Sequence, residues 1–455
     1  MSIISINPAN GQQIKEYATL NDEQVAAKIE QGHQAWLSWR KTGHDLRRAL
    51  LYELAGVLRE RKQQLAELMA NEMGKPVIQG AAEVEKCAVC CEYYAQFAET
   101  HLADKLLSSG ASKSYASYQP LGIVLAVMPW NFPLWQVFRF LAPALAAGNC
   151  GVLKHASNVP GCALAIEEMV VAAGFPANVF QTLLISSSMV EKVIENPRII
   201  AVTLTGSTAA GISVARKAGE MLKKTVLELG GSDAYVVLAD ADLELAAQTC
   251  VNSRLINSGQ SCIASKRFIV EEPVLEKFTQ LVLEKMKAKR LGDPLDPATE
   301  IGPQARADLR DELHDQVRRS VEKGAVCILG GEIPPGNNAF YPATILTNVN
   351  SDVPSYHEEL FGPVASIIAA KDEEDAIRIA NDSVFGLGSA VFTQDLAKGE
   401  RIAATELQAG SSYVNERVQS DPRLPFGGVK TSGYGRELGE FGIREFVNIK
   451  TVYIR

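Results

Sequence analysis

The chain is short of positive charge: 45 Lys and Arg stand against 53 Asp and Glu, a net charge of −8. It has no run of five like charges. Both features speak against the basic surface that a nucleic-acid partner requires. Long apolar runs are missing as well. The longest, near Leu121 to Trp130, is interrupted by Pro129 and falls far short of the ~20 residues that cross a bilayer. The opening MSIISINPANG has neither a basic start nor an apolar core, so no secretory signal is expected and the expected location is the cytoplasm. Cysteine is present but unpatterned. The 8 thiols are scattered, which suggests no disulfide framework and favours a reducing compartment. Cys87, Cys90 and Cys91 cluster in a helical stretch, but no second set of ligands follows at metal-binding spacing. Buried small side chains, not a metal site, are the expectation there. No internal repeat is evident.

What is present is ordinary for a soluble globular protein: 47% apolar and 22% charged residues over 455 positions, enough for two or three domains. Asp22 to His33 and Arg47 to Met73 carry apolar residues at helical spacing, and Ala81 to Thr100 resumes it after Lys75-Pro76. Ser112 to Gln119 alternates like a strand with one exposed face. From Leu121 onward apolar strands alternate with helices: Ile123 to Val127, Gly151 to Lys154, Val179 to Leu184, Ile199 to Thr205 and Thr225 to Leu229. A second alternating section starts near Asp233. The pattern predicts parallel sheets covered on both faces. Glu445 to Ile454 ends the chain as an edge strand.

The chemistry centres on Asn257-Ser258-Gly259-Gln260-Ser261-Cys262, a small polar loop between a helix and a strand. Such a loop can expose a thiol, which becomes a strong nucleophile when its surroundings activate it. A small hydrophobe filling a gap is the bland alternative. Gly206-Ser207-Thr208-Ala209-Ala210-Gly211 is a strand-to-helix turn whose N–H groups can face a phosphate, although it is not the G-x-G-x-x-G fingerprint. Glu228 ends a strand, where a raised pKa would suit a general base. Asn131, in Pro129-Trp130-Asn131-Phe132-Pro133, is either a turn stabiliser or an oxyanion donor.

In this order, PWNFP, LTGSTAAG, ELGG, GQSC, EELFGPV and PFGGVK resemble the NAD(P)-dependent aldehyde dehydrogenase superfamily across nearly the whole chain. The resemblance implies an α/β fold with two parallel-sheet, Rossmann-like domains and a small β oligomerisation flap. The implied division is 1–101 and 121–232 for the cofactor domain, 233–432 for the catalytic domain, and 102–120 with 433–455 for the flap and C-terminal segment. It implies Cys262 as nucleophile, Glu228 as the base that activates water, and Asn131 as an oxyanion donor. It places Trp130, Lys154, Ser157, Gly206, Ser207, Gly211, Leu229, Glu359 and Phe361 around the cofactor, and it implies a homodimer or homotetramer.

The chain departs from the family pattern after Lys154, where His155 replaces the usual Pro. Ser157 stands where strictly NAD-using members commonly carry Glu, so use of NAD and NADP is expected. Asn415-Glu416-Arg417 is a further departure. Within the family the chain is most similar to bacterial succinate-semialdehyde dehydrogenases, which implies Arg139 and Ser420 as substrate contacts. Ile256 stands where some members carry a second arginine; Arg254 and Arg423 have no assigned role. A broad-range dehydrogenase of aliphatic or aromatic aldehydes is the alternative enzyme. A non-catalytic cofactor-binding protein is the alternative of another class, and the set Cys262, Glu228 and Asn131 speaks against it.

Overall fold

The computed structural model describes residues 2–336 and 338–455. Ile123–Met128 reads IVLAVM and is buried almost throughout, as a strand covered on both faces must be. It sits inside a six-stranded sheet ordered Gly433–Tyr434, Lys224–Glu228, Ile199–Thr205, Ile123–Met128, Cys150–His155 and Phe180–Thr182. All pairs are parallel except the first, where Gly433–Tyr434 runs antiparallel to Leu227 and Glu228. The second sheet has seven strands: Val326–Leu329, Thr344–Thr347, Val364–Ala370, Ser265–Glu271, Asp233–Val237, Gly388–Phe392 and Ser411–Val414. Only its first pair is antiparallel. Along Asp233–Val237 the side chains divide with period two. Ala234 and Val236 join one apolar core, while Tyr235 and Val237 join the core on the other face.

A third, antiparallel sheet orders Val447–Ile454, Lys113–Pro120 and Lys105–Leu106. Leu106, Ile449, Tyr453 and Ile454 remain exposed on it. No described helix is long and apolar enough to cross a membrane. No metal-binding cluster occurs among the described residues.

The helical span expected over Arg47 to Met73 is two helices, His44–Glu60 and Lys62–Met73. The chain breaks at Arg61, whose φ of −95° and ψ of 10° leave the helical region. Apolar residues keep helical spacing on either side, so periodicity alone does not show a one-residue break. A hairpin of Ser2–Ile6 with Gln13–Ala18 also forms, from short segments that lack a clear alternating stripe. Asp242 caps Leu243–Leu255 by accepting from the N–H groups of Glu244 and Leu245. Asp240 instead accepts from the Thr393 hydroxyl.

Candidate active site

The loop before Ser265–Glu271 carries Cys262 in a strained backbone. Asn257 and Ser258 adopt φ of 52° and 56°, left-handed values that cost a non-glycine residue of order 1 kcal/mol or more. Gly259 follows at φ 79°, and a Cβ there would lie 2.2 Å from the backbone of Gly362. Only glycine fits, so GQSC and FGP are two sides of one contact. Buried polar groups over-determine the conformation. Arg254 is fully buried and donates to the Gly259 carbonyl at 2.6 Å. Lys266 Nζ donates to the carbonyls of Ser261 and Cys262 at 2.7 and 2.6 Å. Neither role was signalled by the sequence, because a buried Lys or Arg reads like a surface one. The half-buried Cys262 thiol is raised to about 12 by burial, with the charges of Arg139 and Lys266 pulling the other way. The resting group is therefore a neutral thiol.

Asn131 reaches this loop. Its amide donates to the Gln260 carbonyl at 3.1 Å, while Asn257 Nδ2 donates to the Asn131 carbonyl at 2.6 Å. His155, in the place of the usual proline, has a structural role. Its Nδ1 accepts from the Ala156 N–H, so Nε2 carries the proton and donates to the Pro133 carbonyl at 2.8 Å. Burial lowers this imidazole to about 4, which keeps it neutral. The strand bearing Lys154 is thereby tied to the loop bearing Asn131.

Glu228 ends Lys224–Glu228 and is 1% exposed. Neither carboxylate oxygen has a hydrogen-bond partner among the described residues. Burial and the neighbouring Glu437 raise its pKa well above the usual carboxylate range, and Arg139 and Arg436 oppose this. Gly427 makes the room: a Cβ there would lie 2.8 Å from Glu228 Oε1. Arg139, on the helix Trp135–Ala147, lies with Nε 2.8 Å from Glu437 Oε2, both side chains almost wholly buried. Arg139 Nη2 also reaches Thr205 Oγ1 at 3.4 Å. The helix start is capped from elsewhere: Glu83 accepts from the N–H groups of Leu134 and Trp135, each at 2.9 Å, and pairs with buried Lys75.

The residues expected around a cofactor gather at the carboxyl ends of the first sheet. Ser207 caps Thr208–Glu220, accepting from the Ala210 N–H. Gly211 packs so close that a Cβ would meet Leu229 at 2.6 Å. Gly206 donates its N–H to the Glu228 carbonyl at 3.0 Å. Glu359 Oε1 accepts from the Gly231 N–H at 3.1 Å and lies 3.5 Å from Lys266 Nζ. Phe361 stands edge-on to Trp130, ring centres 5.7 Å apart. Lys154 is half-buried with no bonded partner among the described residues, and burial lowers its pKa. Ser157 beside it is exposed. An uncompensated ammonium at a strand end, with no carboxylate at 157, suits a phosphorylated or hydroxyl-rich ligand.

A cavity of about 1000 Å³ opens at Cys262, lined among others by Lys86, Trp135, Arg139, Arg417, Ser420 and Phe426. Arg139 and Ser420, expected at a substrate, both line it. The ion pair with Glu437 is a further feature, unseen in the sequence because the partners lie almost 300 residues apart. Arg423 is exposed and pairs with Asp421.

Two largely parallel sheets, a loop cysteine on the wall of a ligand-sized cavity, and a buried carboxylate at a strand end define an α/β enzyme suited to covalent chemistry on a carbonyl. The chain belongs to the aldehyde dehydrogenase family, whose model matches residues 1–452. It is 48% identical over 458 residues to a Mycobacterium avium protein named succinate-semialdehyde dehydrogenase, NADP(+), covering 100% of this chain and 97% of that one. It is 47% identical over 457 residues, and 100% of each chain, to a Mycobacterium tuberculosis protein named succinate-semialdehyde dehydrogenase, NADP(+), 1. The structure of succinic semialdehyde dehydrogenase from Streptococcus pyogenes in complex with NADP+ superposes with a TM-score of 0.97, at 39% identity, over 99% of both chains.

Proposed function

We propose that this chain oxidises succinate semialdehyde to succinate, with NADP or NAD accepting the hydride. The observation that carries the reading is the cavity. Cys262 and the cationic side chains Lys86, Arg139 and Arg417 line one space, in a chain about half identical along its full length to enzymes named for that substrate.

The chain's own groups account for the steps. The Cys262 thiol gives up its proton to solvent as its sulfur bonds to the aldehyde carbon, and the carbonyl electrons move onto oxygen. The Asn131 amide and the Cys262 N–H donate to that oxyanion, an interaction typically worth ~3–4 kcal/mol per donor. A bound oxidised nicotinamide would supply the hydride acceptor; loss of the hydride from the adduct leaves an acyl thioester on Cys262. Glu228, as carboxylate, takes a proton from water while the water oxygen bonds to the acyl carbon. The C–S bond then breaks, and the sulfur leaves as the better leaving group. The surroundings that raise the Glu228 pKa make it a stronger base once ionised. Lys154, Ser207 and Glu359 would hold the cofactor at its phosphate and ribose groups.

The test is kcat/KM for succinate semialdehyde against butanal, its uncharged four-carbon analogue. A preference for the charged aldehyde of roughly 30-fold or more is expected if its carboxylate is desolvated on a cation. Equal values would refute the substrate.

A further inference from the structure

We propose that Lys86, seated on Ser420 and Trp135, is the cation that receives the carboxylate of the substrate and sets the preference for an acidic aldehyde. The inference rests on the proposed oxidation of succinate semialdehyde and names the charge that selects it.

A pocket that selects an anion needs a positive charge that the protein has not already neutralised. Most charges in the cavity wall are neutralised. Arg139 faces Glu437 at 2.8 Å, and Lys289 faces Glu300 at 2.8 Å. Glu83 pairs with Lys75, Glu85 with Arg59 and Lys62, and Asp421 with Arg423. Lys86 and Arg417 have no carboxylate within ion-pair distance among the described residues. The Arg417 guanidinium makes no hydrogen bond there, so nothing fixes it. Lys86 is fixed. Its Nζ lies 4.2 Å from the centre of the Trp135 ring and donates to Ser420 Oγ at 2.9 Å.

Ser420 completes the arrangement by proton counting. Its Oγ accepts from Lys86 Nζ and from Trp135 Nε1, the latter at 2.8 Å. Both lone pairs are then occupied, and the hydroxyl proton has no acceptor among the described residues. Lys86 retains two further N–H donors. The Ser420 O–H and the Lys86 ammonium therefore form a charged donor pair at the cavity wall, matched to the two oxygens of a carboxylate. The helix Val77–His101 orients the group. Gln79, Ala82, Lys86 and Val89 follow at three- and four-residue intervals and all line the cavity. Burial and the charge of Arg139 lower the Lys86 ammonium to about 8, so its charge is one that a bound anion would stabilise.

The experiment compares Lys86→Met, Lys86→Arg and Arg417→Met with the unmodified enzyme on succinate semialdehyde and butanal. It also measures protection from thermal unfolding by succinate and by butyrate, which needs no turnover. NADP binding verifies that each variant is folded. Lys86→Met is expected to lower kcat/KM for succinate semialdehyde about 30-fold or more, to change butanal within about twofold, and to abolish the protection by succinate. Lys86→Arg should recover most of the preference, and Arg417→Met should retain it. Equal losses on both aldehydes, or a preserved preference in Lys86→Met, would overturn the inference. Loss of the preference in Arg417→Met alone would overturn it in favour of that arginine. An unmodified enzyme without preference would instead refute the proposed substrate, and a preference that survives Lys86→Met would leave the substrate standing.

Discussion

Arg139 Nε and Glu437 Oε2 lie 2.8 Å apart with side chains 2% and 4% exposed, and the pair stands beside both Glu228 and Cys262. Glu437 raises the Glu228 pKa while Arg139 lowers it. Arg139 is also the leading charge that lowers the Cys262 pKa. One ion pair thus bears on the proposed nucleophile and the proposed base together.

Removing one partner of such a pair strands a buried charge, which costs about 3–5 kcal/mol. Arg139→Ala is therefore expected to lower the denaturation midpoint markedly. It should also depress kcat/KM for succinate semialdehyde and butanal alike, because the proposed nucleophile Cys262 and the proposed base Glu228 would act on either aldehyde. Denaturation curves and the two substrates check this. Unchanged stability, with a loss confined to the acidic aldehyde, would show that Glu437 does not hold the arginine's charge.

Glu228 gives a pH dependence of defined sign. Its folded-state pKa is raised, chiefly by burial. Above the unfolded carboxylate range of about 4.3 the unfolded chain releases this proton while the folded chain retains it. This group therefore makes the protein less stable as pH rises toward the folded value. Glu228→Gln removes that penalty. The variant should melt above the unmodified protein at pH 8, with the gap closing toward pH 5. Thermal melts across that range test it, and a constant gap would mean that Glu228 titrates normally.

The alternation of strands and helices was readable because apolar runs and glycine turns are local signals. Ile199–Thr205 forms at the residues its pattern marks. Cys262, Glu228 and Asn131 stand in short motifs with unusual local chemistry, so they could be singled out in the sequence. Lys266, Arg254, Glu83 and Glu437 could not. Each is a charged side chain whose burial depends on a partner distant in sequence, and composition assigns such residues to the surface. The break at Arg61 was hidden for a different reason: the helical period continues across it.

Ser157 is exposed and follows Lys154 by three residues; Lys154 has no bonded partner among the described residues. A carboxylate at 157 would repel a 2′-phosphate while accepting hydrogen bonds from ribose hydroxyls. Ser157→Glu is expected to raise the Kd for NADP by roughly tenfold, about 1.4 kcal/mol, and to leave NAD within about threefold. Direct binding titration of both cofactors checks this. Equal weakening of the two would place Ser157 away from the ribose.

The proposed chemistry is covalent: Cys262 carries the acyl group, and Glu228 delivers the water that removes it. Glu228→Gln should slow release more than hydride transfer. Mixed with succinate semialdehyde and NADP, this variant should give one rapid equivalent of reduced cofactor per active site. Mass spectrometry of the quenched protein should find a succinyl group on the peptide that contains Cys262. Steady turnover without a burst and an unmodified Cys262 peptide, or a Cys262→Ala enzyme that still turns over, would contradict the account.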